Sequence, residues 1–353
     1  MSDLMSRRDP AATLSTSFSF YVPASKPQVA ALAASLADGL TVAGPKGPNA
    51  VRKLRASGLD TPVLFDGLGY AGRELPPAEQ WVREQVAAGA DRALLPGIFV
   101  PWDKDNDTVL IQAIRDQARM ASDWDATLLL AIDSRWLAKR NVLLADELRA
   151  ADQPVALVLA HPADPLATGG AVLGLRWIAQ RTPRLSVLRC DHGALGAIAF
   201  GAKHASIGLS TSTRHFASGP MRPHRLRDRT ARLFVRPLLD WFRASEIAGW
   251  TAAGSDIKCS LPCCRGESLA RFLDEDLDAT FHNMNALADF AEYVLNAPRD
   301  DRRAEFLNAC REAVARYGNA GFKGPSSTSA VSSVTNAVPR STCQATSTAG
   351  AAA

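Results

Sequence analysis

TLLLAID at residues 127–133 and VALVLAH at residues 155–161 decide the fold of this chain. Both segments are apolar along most of their length and do not alternate with polar residues, which is typical of strands buried on both faces of a parallel sheet. A helical pattern follows each of them, at 137–150 and at 168–180. The two segments therefore indicate βα units of a parallel α/β fold.

The same unit of a strand followed by a helix recurs along the chain. Eight β-rich runs are found, at residues 18–22, 40–43, 62–65, 92–95, 127–132, 155–160, 186–189 and 206–209. Eight is the strand count of a closed (βα)8 TIM barrel, and an open doubly wound sheet is the alternative. We therefore expect a barrel over residues 17–221.

Composition is that of a globular protein, with 353 residues, 47% of them hydrophobic, and a formal net charge of +4. This charge permits a polyanionic partner without requiring one. We find no apolar run near the roughly 20 residues that span a bilayer, and no signal peptide, so we expect a cytoplasmic protein without a membrane partner. Residues 1–16 and 323–353 lack periodicity and are predicted to be disordered.

Residues 222–322 are predicted to form a helical region packed on the barrel. We expect a basic and then amphipathic helix over 222–250 and two further helices near 268–283 and 286–296. Adjacent cysteines make a poor disulfide framework, whereas three thiols and an imidazole satisfy the four-ligand preference of structural zinc. The candidate ligands are Cys259, Cys263, Cys264 and His282. Buried thiols without a metal are the alternative.

Active sites of (βα)8 barrels lie at the C-terminal ends of the strands. Three predicted strands end in Asp66, Asp133 and Asp191, which can act as general base, nucleophile or acceptor of a substrate N–H. Helix capping is the structural alternative for each of them. Candidate substrate-binding residues beside these strand ends are Gly67, Gly69, Tyr70, His161 and His192.

A basic segment follows the eighth strand and contains Arg225, Arg227, Arg229 and Arg232. Arginines at this position can contact nucleic-acid phosphates, and such contacts make affinity depend on salt. A solvated helix face is the alternative interpretation.

The stretch from Cys259 to Ala286 resembles the zinc region of the tRNA-guanine transglycosylase superfamily. That family has Cys-x-Cys-x-x-Cys, then a helix with an Arg near its start, then His-Asn. Here Cys259 and Cys264 match the outer cysteines, Leu261 stands at the middle position, and Cys263 is the substitute ligand. Arg271 and His282-Asn283 follow. The run from Asp66 to Tyr70 is similar to the family's Asp-Ser-Gly-Gly-Phe-Gln motif.

The resemblance implies structural zinc and an exchange of guanine for a 7-deazaguanine-type base in tRNA or DNA. Nucleic acid, a purine-like base and a homo- or heterodimer partner are implied with it. Asp66 would contact the base and transfer a proton. The family's nucleophilic Asp aligns with Ser206, so Asp133 or Asp191 would have to replace it.

Two other functions stay open. One is a non-catalytic nucleic-acid-binding homologue or subunit, which Ser206 favours. The other is an unrelated small-molecule barrel enzyme that uses Asp133 and His161 as its acid–base pair.

Overall fold

The computed structural model describes residues 17–218, 230–273 and 276–319. Its main sheet has eight parallel strands in the order β3-β2-β1-β8-β7-β6-β5-β4, which is the order of a (βα)8 barrel. The strands are β1 Ser17–Pro23, β2 Gly39–Ala43, β3 Val63–Asp66, β4 Ile98–Val100, β5 Leu128–Asp133, β6 Val155–Ala160, β7 Leu185–Cys190 and β8 His204–Gly208. The predicted barrel is confirmed.

Helices alternate with these strands and cover the outside of the barrel. They are α1 Pro27–Ala34, α2 Gly47–Ala56, α3 Ala78–Ala87, α4 Thr108–Asp123, α5 Ser134–Lys139, α6 Asn141–Ala150, α7 Ala171–Arg181 and α8 Gly193–Ala199. The outward-facing side chains of each strand, such as Phe20, Phe65 and Ile132, pack under the helices in one continuous core. Burial on both faces explains why the strands read as unbroken apolar runs.

Two side chains bond backbone groups at the gap between β3 and β4. In the described part of the chain, no ladder of backbone hydrogen bonds joins these two strands. Asp91 accepts the Val63 N–H at 2.7 Å and donates its own N–H to the Val63 carbonyl at 3.1 Å. The Gln85 amide bonds both backbone groups of Leu94, at 2.7 and 2.9 Å. Both side chains thus satisfy backbone groups that a neighbouring strand would otherwise pair.

The fourth strand lies later in the chain than expected. The predicted run 92–95 contributes only a single bridge, from Leu94 to Thr127, whereas the strand itself is Ile98–Val100. Gly97 separates the two segments and has a φ of +80°, a conformation that glycine adopts at little cost. A one-glycine interruption of this kind hides the strand from a search for apolar runs.

The C-terminal region is only partly helical. The predicted helix over 222–250 is wrong for residues 232–243, because the structure has an antiparallel pair there, β9 Arg232–Val235 and β10 Asp240–Arg243. Its last residues lie in α9 Ala244–Ala252, and residues 222–229 lie outside the described residues. The paired residues are mostly aromatic or branched, and Pro237 lies in the turn, which favours a hairpin.

The two helices predicted near 268–283 and 286–296 are a single helix, α10 Asp276–Asn296, and α11 Arg302–Asn319 follows it. The predicted disordered ends, 1–16 and 323–353, lie outside the described residues. Among the residues described, no helix is both long and apolar enough to cross a membrane.

Candidate functional site

Asp66 occupies the centre of the C-terminal mouth of the barrel. Its side chain is fully buried, and Oδ2 accepts hydrogen bonds from the Tyr21 hydroxyl at 2.5 Å and the Tyr70 hydroxyl at 2.7 Å. Oδ1 accepts the Leu68 N–H at 2.9 Å. Burial, and then the negative charge of Asp66, raise the pKa of both tyrosines well above the usual value, so the phenols remain donors.

Arg189 connects this group to β7. Its Nη1 donates to the Tyr70 hydroxyl at 3.3 Å, and its Nη2 donates to the Ser212 carbonyl at 2.9 Å. The backbone of Arg189 has a φ of +49°, unusual for a residue with a side chain. The positive charge therefore lies beside the buried carboxylate and its two phenols.

Gly67 and Gly69 pack against protein atoms. A Cβ at Gly67 would lie 2.5 Å from a Leu75 methyl group, and one at Gly69 would lie 2.5 Å from the Pro96 carbonyl oxygen. Side chains are excluded at both positions by close packing around the tight turn. The sequence predicts both glycines as substrate-binding residues, whereas in the structure they have this packing role.

Phe216 covers the mouth above Tyr70. The segment is held by two backbone hydrogen bonds to the end of β6, from Phe216 N–H to the Leu159 carbonyl and from His161 N–H to the Phe216 carbonyl. The ring makes edge-to-face contacts with Tyr70 at 5.2 Å and Phe99 at 5.3 Å, and the Arg189 guanidinium lies 5.6 Å from its centre. A flat side chain thus occupies the aromatic space over Asp66.

Asp191 lies at the end of β7 and is held by three hydrogen-bond donors. Its Oδ1 accepts the Trp241 indole N–H at 2.6 Å and the His192 backbone N–H at 2.6 Å, and it contacts His192 Nδ1 at 2.7 Å. Its Oδ2 has a longer contact, 3.5 Å, with Arg214 Nη1. The side chain is 32% exposed, whereas that of Asp133 is 7% exposed. Asp191 is therefore the accessible carboxylate of the two.

The charges around Asp191 keep it ionised. Burial alone would raise the pKa of Asp191, but the charges of His192 and Arg214 and the hydrogen bonds outweigh it and hold the pKa well below its usual range. Burial would likewise lower the pKa of His192, yet the Asp191 carboxylate raises it. The pair therefore favours a carboxylate beside an imidazolium.

His215 lies within electrostatic reach of both Asp191 and Arg189. Its pKa falls to about 4 because of burial and then the nearby charge of Arg214, with Asp191, Arg189 and His161 also within electrostatic reach. A neutral imidazole therefore lies among these charged groups at neutral pH.

Among the described residues, Asp133 has hydrogen bonds and an ion pair with Arg135 alone. Its two oxygens accept Arg135 Nε at 2.8 Å and Nη2 at 2.7 Å, and Oδ1 also accepts the Arg135 backbone N–H. Burial would raise the pKa of Asp133, but these bonds and the Arg135 charge lower it. His161 is half-buried and accepts the Ala163 N–H through Nδ1. Both residues thus have local capping roles at their strand ends.

Strand β8 ends without a carboxylate. Ser206 is fully buried in the middle of the strand, beside Ser19 of β1, and its hydroxyl has no hydrogen-bond partner among the described residues. The last residue, Gly208, could not carry a side chain, because a Cβ there would lie 2.1 Å from the Thr213 carbonyl oxygen. The loop after β8 therefore fills the position at the end of this strand.

The Cys/His cluster brings together three of the four predicted ligands. The ligand atoms of Cys259, Cys264 and His282 all lie within 4.8 Å of one another, and the three residues are buried. His282 Nδ1 lies 3.8 Å from Cys259 Sγ and 3.2 Å from Cys264 Sγ. Cys263 Sγ lies 3.6 Å from Cys264 Sγ and outside this group of three ligand atoms.

The donor set fits a zinc ion. Tetrahedral zinc with bonds of about 2.0–2.3 Å separates its ligand atoms by about 3.5–3.8 Å, close to the distances found here. His282 Nε2 lies 3.1 Å from the Phe234 carbonyl oxygen, to which only an N–H can donate, and this leaves Nδ1 as a free ligand atom. Cys263 could supply the fourth ligand after a small movement.

The predicted nucleic-acid-binding arginines are mostly outside the described residues. Arg225, Arg227 and Arg229 lie there, so that prediction stands untested for them. Arg232 begins β9 with an exposed side chain, and its carbonyl accepts the Asn283 side-chain N–H at 2.8 Å.

No protein-family model and no curated protein sequence matches this chain. Among solved structures, a mutant tryptophan synthase α-subunit from Pyrococcus furiosus is similar, with 13% identity and a TM-score of 0.36, over 55% of this chain and 88% of that chain. A 3-hexulose-6-phosphate synthase has 16% identity and a TM-score of 0.33, over 54% and 89%. A xylose isomerase-like TIM barrel/4-hydroxyphenylpyruvate dioxygenase fusion protein has 15% identity and a TM-score of 0.37, over 58% and 40%.

Several residues of the mouth were missed from the sequence. Tyr21 lies near the end of β1, and Arg189 lies two residues before Asp191, so inspection of every strand end would have found both. Trp241 had no such signal, because it comes from the hairpin that was predicted to be helical.

Proposed function

We propose that this protein exchanges a guanine-type base in nucleic acid, with Asp191 as the nucleophile that forms a glycosyl–enzyme intermediate. The observation that carries the proposal is the arrangement of Asp191. It is an ionised, partly exposed carboxylate at a barrel strand end, held by Trp241 and His192. Within the part of the chain that the structure describes, its Oδ2 has one long contact, with Arg214. A fixed carboxylate of this kind is suited to covalent catalysis at an anomeric carbon.

Asp66 and its tyrosines would recognise the base. The carboxylate and the phenol groups form a polar floor, and Phe216 occupies aromatic space that a flat ring could fill. A purine that displaced Phe216 would contact Tyr70 and Arg189. The base would have to leave its stack to reach this depth.

The reaction proceeds in two displacements. Asp191 Oδ2 attacks C1′, the bond from C1′ to the base nitrogen breaks, and the base leaves with the bonding electrons and takes up a proton. The incoming base then attacks C1′ while losing a proton, and the bond between C1′ and the Asp191 oxygen breaks. His192 and Arg214 stabilise the carboxylate that departs in this second step.

Zinc would have a structural role in this scheme. Cys259, Cys264 and His282 would hold it, with Cys263 as the fourth ligand, and when bound it supplies folding free energy to the appended region. His282 contacts the Phe234 carbonyl, and the Phe234 ring lies 5.2 Å from His192 and 5.4 Å from Trp241. The cluster therefore supports both residues that hold Asp191.

Incorporation of labelled guanine into tRNA and into duplex DNA tests the proposal. The wild type should label one polymer, and Asp191→Asn should lose the activity by about a thousandfold or more. Asp66→Asn should also lose it, whereas Asp103→Asn, on an exposed loop at the same end of the barrel, should match the wild type. Mass spectrometry of denatured protein should find a glycosyl adduct on Asp191. A fully active Asp191→Asn variant would refute the proposal.

A non-catalytic nucleic-acid-binding homologue is the second candidate. The end of β8 favours it, because the backbone of the following loop fills the space beside Gly208, and Ser206 is buried below this position. In that case, folded protein would bind tRNA or duplex DNA in a gel-shift assay with a steep salt dependence and would incorporate no label.

A further inference from the structure

A cavity of about 470 Å³ lies at the N-terminal end of the barrel. One wall is formed by residues 198–203, in the turn that enters β8, and the other by residues 299–303, between α10 and α11. Its volume is in the range of pockets that bind small ligands. The cavity lies at the end of the barrel opposite to Asp66 and Asp191. Ligand binding there is independent of the proposed function.

Positive side chains outnumber negative ones in the lining of this cavity. Among the described residues that line it, the cations are Lys203, Arg299, Arg302 and Arg303, and the carboxylate is that of Asp300. Arg302 has structural partners, because it donates to the carbonyls of Leu295 and Ala297 at the C-terminal end of α10. None of the ion pairs formed among the described residues includes the other three cations.

Two guanidinium groups converge on Phe200 in the same wall. Arg176 lies 5.0 Å and Arg303 lies 5.5 Å from the centre of the Phe200 ring. Burial, and then the positive charge of Arg303, lower the pKa of Arg176. The two like charges repel one another, and an anion bound beside Arg303 would reduce this repulsion.

We propose that this cavity binds the phosphate group of a nucleotide-sized ligand. Arg299, Arg303 and Lys203 supply charge-assisted donors, and guanidinium groups match the geometry of phosphate oxygens. Helix α11 begins at Arg302, and Arg302 and Arg303 line the cavity, so the positive end of the helix dipole lies on the same side. The Phe200 ring provides a flat apolar wall next to the charged groups.

Calorimetric titration of the full chain with inorganic phosphate, at an ionic strength fixed with chloride, tests this site. The wild type should bind phosphate saturably, and the double variant Arg299→Gln/Arg303→Gln should bind it about tenfold more weakly or worse. Arg311→Gln, an exposed change on α11 away from the cavity, should bind as the wild type does.

A second variant keeps the test decisive if the double variant does not fold. Lys203→Gln alone should also weaken phosphate binding, and adenosine 5′-monophosphate should compete with phosphate in the wild type. Absence of saturable binding, or equal affinity in Arg311→Gln and the cavity variants, would overturn the proposal.

Discussion

Tyr21 and Asp66 lie on strands that are not neighbours, yet the Tyr21 hydroxyl is 2.5 Å from Asp66 Oδ2. Strand β2 separates β1 from β3, and both side chains point into the barrel, where its curvature brings them together. The contact is fully buried. A buried carboxylate that depends on phenol donors makes this centre sensitive to small changes.

Tyr21→Phe should lower the free energy of unfolding by about 1–3 kcal/mol, because a buried carboxylate loses a charge-assisted donor. Urea denaturation at neutral pH measures this loss. The control is Tyr293→Phe, whose hydroxyl donates to Glu305 at the surface and whose loss should cost less than about 1 kcal/mol. Equal losses in the two variants would contradict the role given to the Asp66 centre.

Phe216→Ala should increase the affinity for free guanine several-fold, because the wild-type ring occupies the space over Tyr70 and only the open fraction of molecules can bind. Titration calorimetry measures this affinity. Trp124→Ala, a change of an exposed aromatic residue at the end of α4, is the control. Weaker guanine binding in Phe216→Ala would instead mean that the ring is part of the binding surface.

Cys264→Ser and Cys259→Ser should each lose zinc and lower the thermal midpoint, because a structural site needs its buried thiolates. Metal analysis of purified wild-type protein should find one zinc per chain. Cys310→Ala, a buried cysteine outside the cluster, should keep its zinc. Tryptophan fluorescence should change on chelation, because Phe234 connects the cluster to Trp241. Zinc-free wild-type protein with an unchanged midpoint would exclude a structural metal.

Stability should fall as the pH drops from 6.5 to 4 because of His204. Burial lowers its pKa to about 4 in the folded chain, whereas the unfolded chain binds the proton near pH 6.5. As the pH falls through this window, the unfolded state binds a proton at His204 before the folded state does. This lowers the free energy of unfolding by up to about 3 kcal/mol. His204→Gln should show a shallower dependence in urea denaturation between these pH values. His215 titrates in the same window in the wild type and in His204→Gln. Parallel curves of stability against pH for the two proteins would therefore show that His204 is not the cause.

Much of the barrel could be predicted from the sequence. The runs at 127–133 and 155–161 are apolar because both faces of a barrel strand are buried. This pattern can be recognised without knowing which segments the strands pack against. The strand ends then placed Asp66, Asp133 and Asp191 at one mouth by the geometry of parallel strands alone. Cys259, Cys264 and His282 could also be predicted from the sequence, because closely spaced thiols and an imidazole match the ligand preference of structural zinc.

What each of these residues does was decided by tertiary contacts. Asp133 and Asp191 look alike in the sequence, but the neighbouring Arg135 folds back on the first, while Trp241 and Arg214 reach the second from distant parts of the chain. The hairpin that carries Trp241 resembled a helix in the sequence. Over so short a run, its aromatic and basic residues fit the periodicity of a helix as well as that of a strand. Local pattern thus determined the barrel and its strand ends. Only packing between distant segments decided which carboxylate stays accessible, because burial and charge at a site depend on residues that are far away along the chain.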